Sequence, residues 1–352
     1  MAEQALIAMS GGVDSSVAAW LTLNRGLQCS GAIMRLYEGG SCNTSDSIRD
    51  AQAVADRLQM PFHVLDCTAD FKELVTDPFV HCYECGLTPN PCIECNRHLK
   101  FGRFLDFARS IGCQHIVTGH YARIRKDRDS GRYLLYKAAD TTKDQSYFLY
   151  SLSQQQLAAT LLPLGELTKP QVRQIAEEQG FVNAGKKDSQ DICFVPDGDY
   201  TKFMVTYTGK SYPQGDFLDL SGNVIGKHKG AVSYTLGQRK GLGLAMGQPV
   251  YVCAKDMDAN TVTVGSEEHL FHSILRASDW NWFPFPALTG PMRVMAKTRS
   301  RQAEQPATVY PESNGWARVE FDQLQRAITP GQAVVLYLGD QVIGGGTIRE
   351  VL

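Results

Sequence analysis

The feature that most constrains this chain is the string Ser10-Gly11-Gly12-Val13-Asp14-Ser15-Ser16, lying between an apolar run, Ala5 to Met9, and a helical pattern, Asp14 to Asn24. A glycine pair after a strand and before a helix lets the backbone approach a ligand closely. The first amides of the helix then face outward at its positive end, which makes an anion cradle. Ser30 to Leu36 follows as a second apolar run and completes a βαβ unit. Ser10, Ser15 and Ser16 add hydroxyl donors, and Asp14 offers a carboxylate for Mg²⁺ or a water beside phosphates. The string lacks the lysine of G-x-x-x-x-G-K-[ST], which argues against γ-phosphoryl transfer. A Gly-Gly turn with a Ser or Asp helix cap is the plain alternative.

Strand and helix patterns keep alternating. Asp46 to Gln59 places Ile48, Ala51, Val54, Ala55 and Leu58 on one face, Pro61 to Cys67 is a short apolar run, Asn96 to Ser110 is helical, and His115 to Gly119 ends in a polar turn. This order predicts a parallel sheet covered by helices. Thr168 to Gly180 is a further helix with a Thr cap, Pro170 near its start and a Gly stop. Beyond Pro196 convincing helices disappear, and short β runs alternate with Gly, Asp and Asn turns: Pro249 to Ala254, Thr261 to Val264, Ala317 to Phe321 and Ala333 to Leu338. A break at Ser273 to Pro286, rich in Trp, Phe and Pro, divides this half. The expected domains are 1–197, 198–272 and 273–352: an α/β unit, a small mainly-β unit and a second β module.

A length of 352 residues fits several cores, and 43% hydrophobic with 20% charged residues is ordinary for a globular chain. A net charge of -2 argues against coating nucleic acid by bulk electrostatics. Neither a secretory leader nor a run of about 20 apolar residues is visible, so the expectation is a cytoplasmic protein with no membrane association and reduced thiols.

Cys82-x-x-Cys85 and Cys92-x-x-Cys95 permit a four-thiolate zinc knuckle, although the Thr88-Pro-Asn-Pro91 segment between them is stiff. Cys193 lies in a polar setting, Asp188-Ser-Gln-Asp-Ile-Cys-Phe194. Sulfur insertion needs one thiol to carry a persulfide and another to attack it, and Cys193 with Cys95 can fill those roles. Lys186, Lys187 or a helix N-terminus near Asn96 would lower a thiol pKa. Cys29, Cys67, Cys113 and Cys253 sit in apolar runs as packing residues, and Cys42 has no assigned role.

The glycine loop, Thr88-Pro-Asn-Pro-Cys-Ile-Glu-Cys-Asn96, Thr118-Gly-His-Tyr-Ala-Arg123 and Lys143-Asp-Gln-Ser-Tyr-Phe-Leu149 together resemble the tRNA-specific 2-thiouridylases, within the PP-loop ATP pyrophosphatase superfamily. Leu164-Gly-Glu-Leu-Thr-Lys169, Asp188 to Phe194 and Tyr234-Thr-Leu-Gly-Gln-Arg-Lys-Gly-Leu-Gly243 extend the resemblance in the same order. It is weakest after about residue 265, where Lys297-Thr-Arg-Ser-Arg-Gln302 and Pro330-Gly-Gln332 carry it.

The resemblance implies an N-terminal PP-loop domain, Rossmann-like and of the adenine nucleotide alpha hydrolase type, then a small central domain and a C-terminal β-barrel. It implies ATP at Ala8, Met9, Ser10, Gly11, Gly12, Val13, Asp14, Ser15, Met34 and Gly119. The target base falls to Asn90, Pro91 and Cys92, and other tRNA contacts to His120, Lys143, Asp144, Gln145, Arg299, Ser300 and Gln332. Cys193 matches the persulfide carrier and Cys95 the nucleophile. ATP, Mg²⁺, tRNA and a sulfur donor protein, either a cysteine desulfurase or a relay protein, are the implied cofactors and partners. Some members carry Asp where Cys92 stands, with an acid/base role that a thiol puts in question. Cys92, Cys95 and Cys193 also leave a three-thiolate 4Fe-4S site open. Two other classes stand beside this reading: a PP-loop ligase or amidating enzyme for a small metabolite, and a zinc-dependent RNA-binding module.

Overall fold

The structure is a computed structural model and describes residues 3–37, 45–186, 192–195 and 197–352. Cys42, Lys187 and the Asp188 to Asp191 part of the Cys193 motif lie outside the described residues.

Strands β1 (Gln4–Ala8), β2 (Gln28–Arg35), β3 (Phe62–Asp66) and β4 (His115–Val117) precede a hairpin of β5 (Ala122–Lys126) and β6 (Tyr133–Lys137), with β7 (Thr160–Leu161) after it. β1 to β4 and β7 form a parallel sheet of order β3-β2-β1-β4-β7. Its central strand shows why a run such as Ala5-Leu6-Ile7 is apolar throughout. Leu6 faces one core with Phe71, Phe79, Leu99 and Phe104, while Ala5 and Ile7 face another with Val17, Val54 and Val172. The chain moves outward from β1 to β3 on one side and restarts at β4 on the other. The crevice for a ligand therefore opens beyond the carboxyl ends of β1 and β4.

After residue 197 the structure departs from expectation at two places. Tyr200–Thr208 is a helix, capped by the Asp199 carboxylate on the Lys202 amide (3.0 Å) and ended by Gly209 at φ 67°. Its β-branched and aromatic residues read as β-type; the flanking Asp and Gly decide the matter. The Trp-rich stretch expected as a break is instead mostly one long strand, β12 (Phe271–Trp282).

Between them lies a four-stranded sheet of β8 (Gly215–Leu218), β9 (Val224–His228), β10 (Tyr251–Asp256) and β11 (Thr261–Gly265). β12 then joins β13 (Met292–Lys297), β14 (Gln305–Pro311), β15 (Ala317–Arg326), β16 (Ala333–Leu338) and β17 (Gln341–Val351) in a barrel, order β12-β15-β14-β13-β16-β17, closed by β12 pairing with β17. The α/β unit, the mainly-β middle and the C-terminal barrel are thus all present.

The barrel does not stand apart. β17 also pairs with β6, so its sheet runs on into the β5–β6 hairpin. Arg132 donates to the carbonyls of Phe283 (2.6 Å) and Trp282 (3.0 Å), and Asn281 donates to those of Tyr150 (2.6 Å) and Leu152 (2.9 Å).

Candidate active site

Helix Val13–Asn24 starts from Gly12, whose carbonyl accepts the hydroxyls of Ser15 and Ser16, each at 3.0 Å. Ser15 Oγ also accepts the Ser10 amide at 3.1 Å. Ser16 is fully buried and takes the Asn183 amide at 3.0 Å, so it braces the loop from behind and offers no hydroxyl to a ligand. Gly11 sits at φ +70°, and a Cβ there would lie 2.4 Å from the Ser47 carbonyl oxygen. At Gly119 a Cβ would lie 2.9 Å from the Ser15 amide nitrogen. Gly119 lets the loop close against the end of β4, and Gly11 lets it close against helix Ser45–Arg57, so a side chain at either would force the loop apart from its support.

Asp14 is engaged more heavily than its sequence suggests. Both its oxygens accept Lys169 Nζ, at 2.7 and 2.8 Å, and Oδ1 also accepts the Tyr121 hydroxyl at 2.8 Å. Lys186, expected to tune a thiol, instead donates to the Gly11 carbonyl (3.2 Å) and pairs with Asp50 (2.9 Å).

A cavity of about 430 Å³ opens from this loop. Ala8, Met9, Ser10, Asp14, Ser15, Met34 and Gly119 line one end, while Pro91, Cys92, Cys95 and Cys193 line the same space, with His120 and Gln145. Gly11, Gly12 and Val13 form the loop's frame without lining the cavity, and Val13 is buried.

The helix carrying two of the thiols begins at Pro91, earlier than the expected start near Asn96, with Asn90 as its cap residue. Its positive end therefore meets Cys92, which is exposed, whereas Cys95 is buried further along. From Cys95 to Arg103 the helix widens to π-type turns. The Arg97 carbonyl accepts Gln156 (2.9 Å), and buried Asn96 donates to the Phe148 carbonyl (3.0 Å). Cys193 is placed by its neighbour. Phe194 is buried with ring centroids 5.0 Å from Phe203, 5.1 Å from Phe79 and 5.6 Å from Phe71. Phe203 belongs to the helix that sequence reading missed, whose flanking Asp199 and Gly209 were its available signal.

Among the described residues, no three His, Cys, Asp or Glu side chains converge so as to hold a metal ion. As placed, the thiols fit neither the cluster arrangement nor, with Cys82 and Cys85, the zinc knuckle. Cys85 lies 3.7 Å from His81 Nε2. Burial pushes the thiols of Cys29 and Cys67 up to about 11, in keeping with packing roles.

His120 accepts or donates through Nδ1 to Thr118 Oγ1 at 2.8 Å, and desolvation, with Lys100 adding a smaller push, lowers its pKa to about 3. Asp144 accepts the Ala138 amide (3.0 Å) and both the amide and hydroxyl of Ser146 (3.2 and 2.7 Å); Gln145 accepts the Tyr121 amide (2.9 Å). Both shape a turn, with Lys143 beside them. Arg123 is spent on the Lys137 carbonyl and Asp340, and Arg125 on Glu166. Arg299 donates to Thr329 Oγ1 at 2.7 Å, with Ser300 next to it in the chain. Gln332 donates to the carbonyls of Thr88 (2.8 Å) and Pro89 (3.2 Å), and the Thr88 amide donates to the Pro330 carbonyl (3.0 Å). A barrel loop thereby holds the segment leading to Cys92.

A glycine-rich anion loop at the switch point of a parallel sheet, facing thiols across one cavity, defines a nucleotide-using PP-loop protein equipped for sulfur chemistry. Residues 3–197 match the family described as "tRNA methyl transferase HUP domain", residues 201–266 its PRC-barrel domain, and residues 272–348 the "Aminomethyltransferase beta-barrel domain". The tRNA-specific 2-thiouridylase MnmA of Clostridioides difficile is 46% identical over 360 residues, covering 100% of this chain and 99% of that protein. The protein of the same name from Moorella thermoacetica is 48% identical, covering 98% and 99%. The chain belongs to the tRNA-specific 2-thiouridylase family.

Proposed function

We propose that the chain is an ATP-dependent tRNA-uridine 2-sulfurtransferase that makes 2-thiouridine at the wobble position. The observation that carries this reading is the single cavity lined by the phosphate loop and by Cys92, Cys95 and Cys193. Uracil C2 is a poor electrophile. Its oxygen attacks the α-phosphorus of ATP, the bond to the bridging oxygen breaks, and pyrophosphate leaves with the electron pair. The terminal sulfur of a persulfide on Cys193 then attacks C2 and AMP departs. Cys95 attacks Cys193 Sγ, the S–S bond breaks with its electron pair passing to the sulfur on C2, and a Cys95–Cys193 disulfide is left for an external thiol to reduce. Mg²⁺, arriving with ATP, would neutralise phosphate charge, with Asp14 as the carboxylate nearest to hold it.

Ala8 to Ser15, Met34 and Gly119 are assigned to ATP; Asn90, Pro91 and Cys92 to the flipped-out base. His120, Lys143, Asp144, Gln145, Arg299, Ser300 and Gln332 are assigned to the tRNA, the last through exchange of the internal bonds described above. A persulfide-bearing protein is the donor, and the cytoplasm is the expected location. The domain assignment is 1–197, 198–272 and 273–352. No helix among the described residues is long and apolar enough to cross a membrane. The persulfide route is preferred to a 4Fe-4S route because the three thiols do not converge as ligands.

The test is nucleoside mass spectrometry of unmodified tRNA incubated with anaerobically purified protein, ATP, Mg²⁺ and a cysteine desulfurase with cysteine as the persulfide source, beside Cys95→Ser and Cys193→Ser, with metal content assayed. ATP-dependent 2-thiouridine, lost in both variants, is the expected result. Conversion of ATP to AMP and pyrophosphate without thiolated nucleoside would move a metabolite-directed PP-loop ligase ahead.

A further inference from the structure

The phosphate loop carries no lysine of its own, yet a lysine reaches it from the helix packed beside the loop's own helix. Lys169 opens helix Lys169–Glu178, whose Val172 and Ala176 pack in the core opposite the one beneath the cysteines. Its position is firmly set. Thr168 and Gln171 form a capping box, the Lys169 amide donates to Asp140 at 2.9 Å, and the residue is only 7% exposed. From there Nζ reaches both oxygens of Asp14 in the first turn of the loop's helix and lies 5.9 Å from the Tyr121 ring centre. Asp14 lines the cavity.

A buried ammonium is costly to desolvate, and a single ion pair to a part-buried carboxylate is a poor reason to hold one here. The arriving nucleotide supplies a better reason. Its α-phosphate must face the uridine and the thiols, so its two outer phosphates fall toward the loop, where Asp14 adds a negative charge that would repel them. A cation already against Asp14, which itself lines the cavity, offsets that repulsion and stands at the edge of the space the phosphates would enter.

We propose that Lys169 is a pyrophosphate-binding residue: it pairs with Asp14 in the nucleotide-free chain and turns to the β- and γ-phosphates when ATP binds. There it holds the charge that builds on the bridging oxygen as the α-phosphorus bond breaks. The carboxylate of Asp14 is released to the cation accompanying the nucleotide. This inference rests on the ATP reading of the loop.

Calorimetric titration of the full-length chain with α,β-methylene-ATP, magnesium pyrophosphate and AMP tests it. Lys169→Met should weaken the first two by about tenfold or more and leave AMP within about twofold, while Lys169→Arg should retain most of the affinity. An equal loss for all three ligands would mark a merely structural pair, and unchanged affinity for all three would mark a cation that never leaves Asp14; either overturns the proposal. If the wild-type chain bound neither the analogue nor pyrophosphate, the ATP reading itself would fall, a result separable from the variant's behaviour.

Discussion

At the scale of single residues, His120 shows how burial sets chemistry. With its pKa lowered to about 3, the imidazole is neutral in the folded chain throughout the physiological range. It therefore meets a ligand as a hydrogen-bonding group, not as a cation. The linkage has a definite sign. The unfolded chain takes up a proton near pH 6.5 while the folded chain does not, so the stability contributed by the neutral ring is present above that pH and is lost as pH falls below it. Wild-type urea midpoints should decline between pH 6.5 and 4.5 with a contribution of up to about 1.4 kcal/mol per pH unit from this residue. His120→Gln should flatten the decline without abolishing it, because burial also lowers the pKa of His228. Parallel profiles for the two proteins would contradict the assignment. The residue types of the site were largely legible in the sequence, since a glycine-rich loop and paired thiols have few other uses. Their partners were not. Asp14 read as a metal ligand, and nothing local announced that Lys169, 155 positions away, would occupy its carboxylate.

At the scale of elements, the α/β half was legible because its strands are apolar runs and its helices are capped and periodic. Helix Tyr200–Thr208 was hidden, as Phe203, Val205 and Tyr207 favour strands and only Asp199 and Gly209 bracket a helix. Tertiary packing settles it: Phe203 completes the aromatic cluster around Phe194, and that cluster holds the loop bearing Cys193. Phe194→Ala should cost about 3–5 kcal/mol if the cavity does not collapse, less if the loop rearranges. Alkylation of Cys193 by iodoacetamide should accelerate and sulfur transfer should fall, while binding of α,β-methylene-ATP persists. An unchanged alkylation rate would mean that Phe194 does not place the thiol.

At the scale of the whole molecule, the barrel and the α/β unit share strand pairing, a property of long-range register that no local pattern encodes. β17 closes the barrel through β12 and pairs with β6. Its Gly345 permits the contact: a Cβ there would lie 2.5 Å from the Tyr150 ring and 2.9 Å from the Val334 carbonyl. Gly345→Val should therefore push the barrel wall off Tyr150, whereas Gly290→Ala, which meets nothing within 4 Å, serves as the control. Hydrogen exchange at Leu135 and Tyr136 of β6 should quicken in step with Val342 of β17 in the Gly345 variant and stay at wild-type rates in the control. Thiolation should drop with it, because the same displacement carries Gln332 away from the Thr88 and Pro89 carbonyls and loosens the segment leading to Cys92. If β17 lost protection while β6 kept it, the two units would be separately stable. The barrel's part in the reaction would then reduce to carrying RNA contacts, with no hand in shaping the cavity.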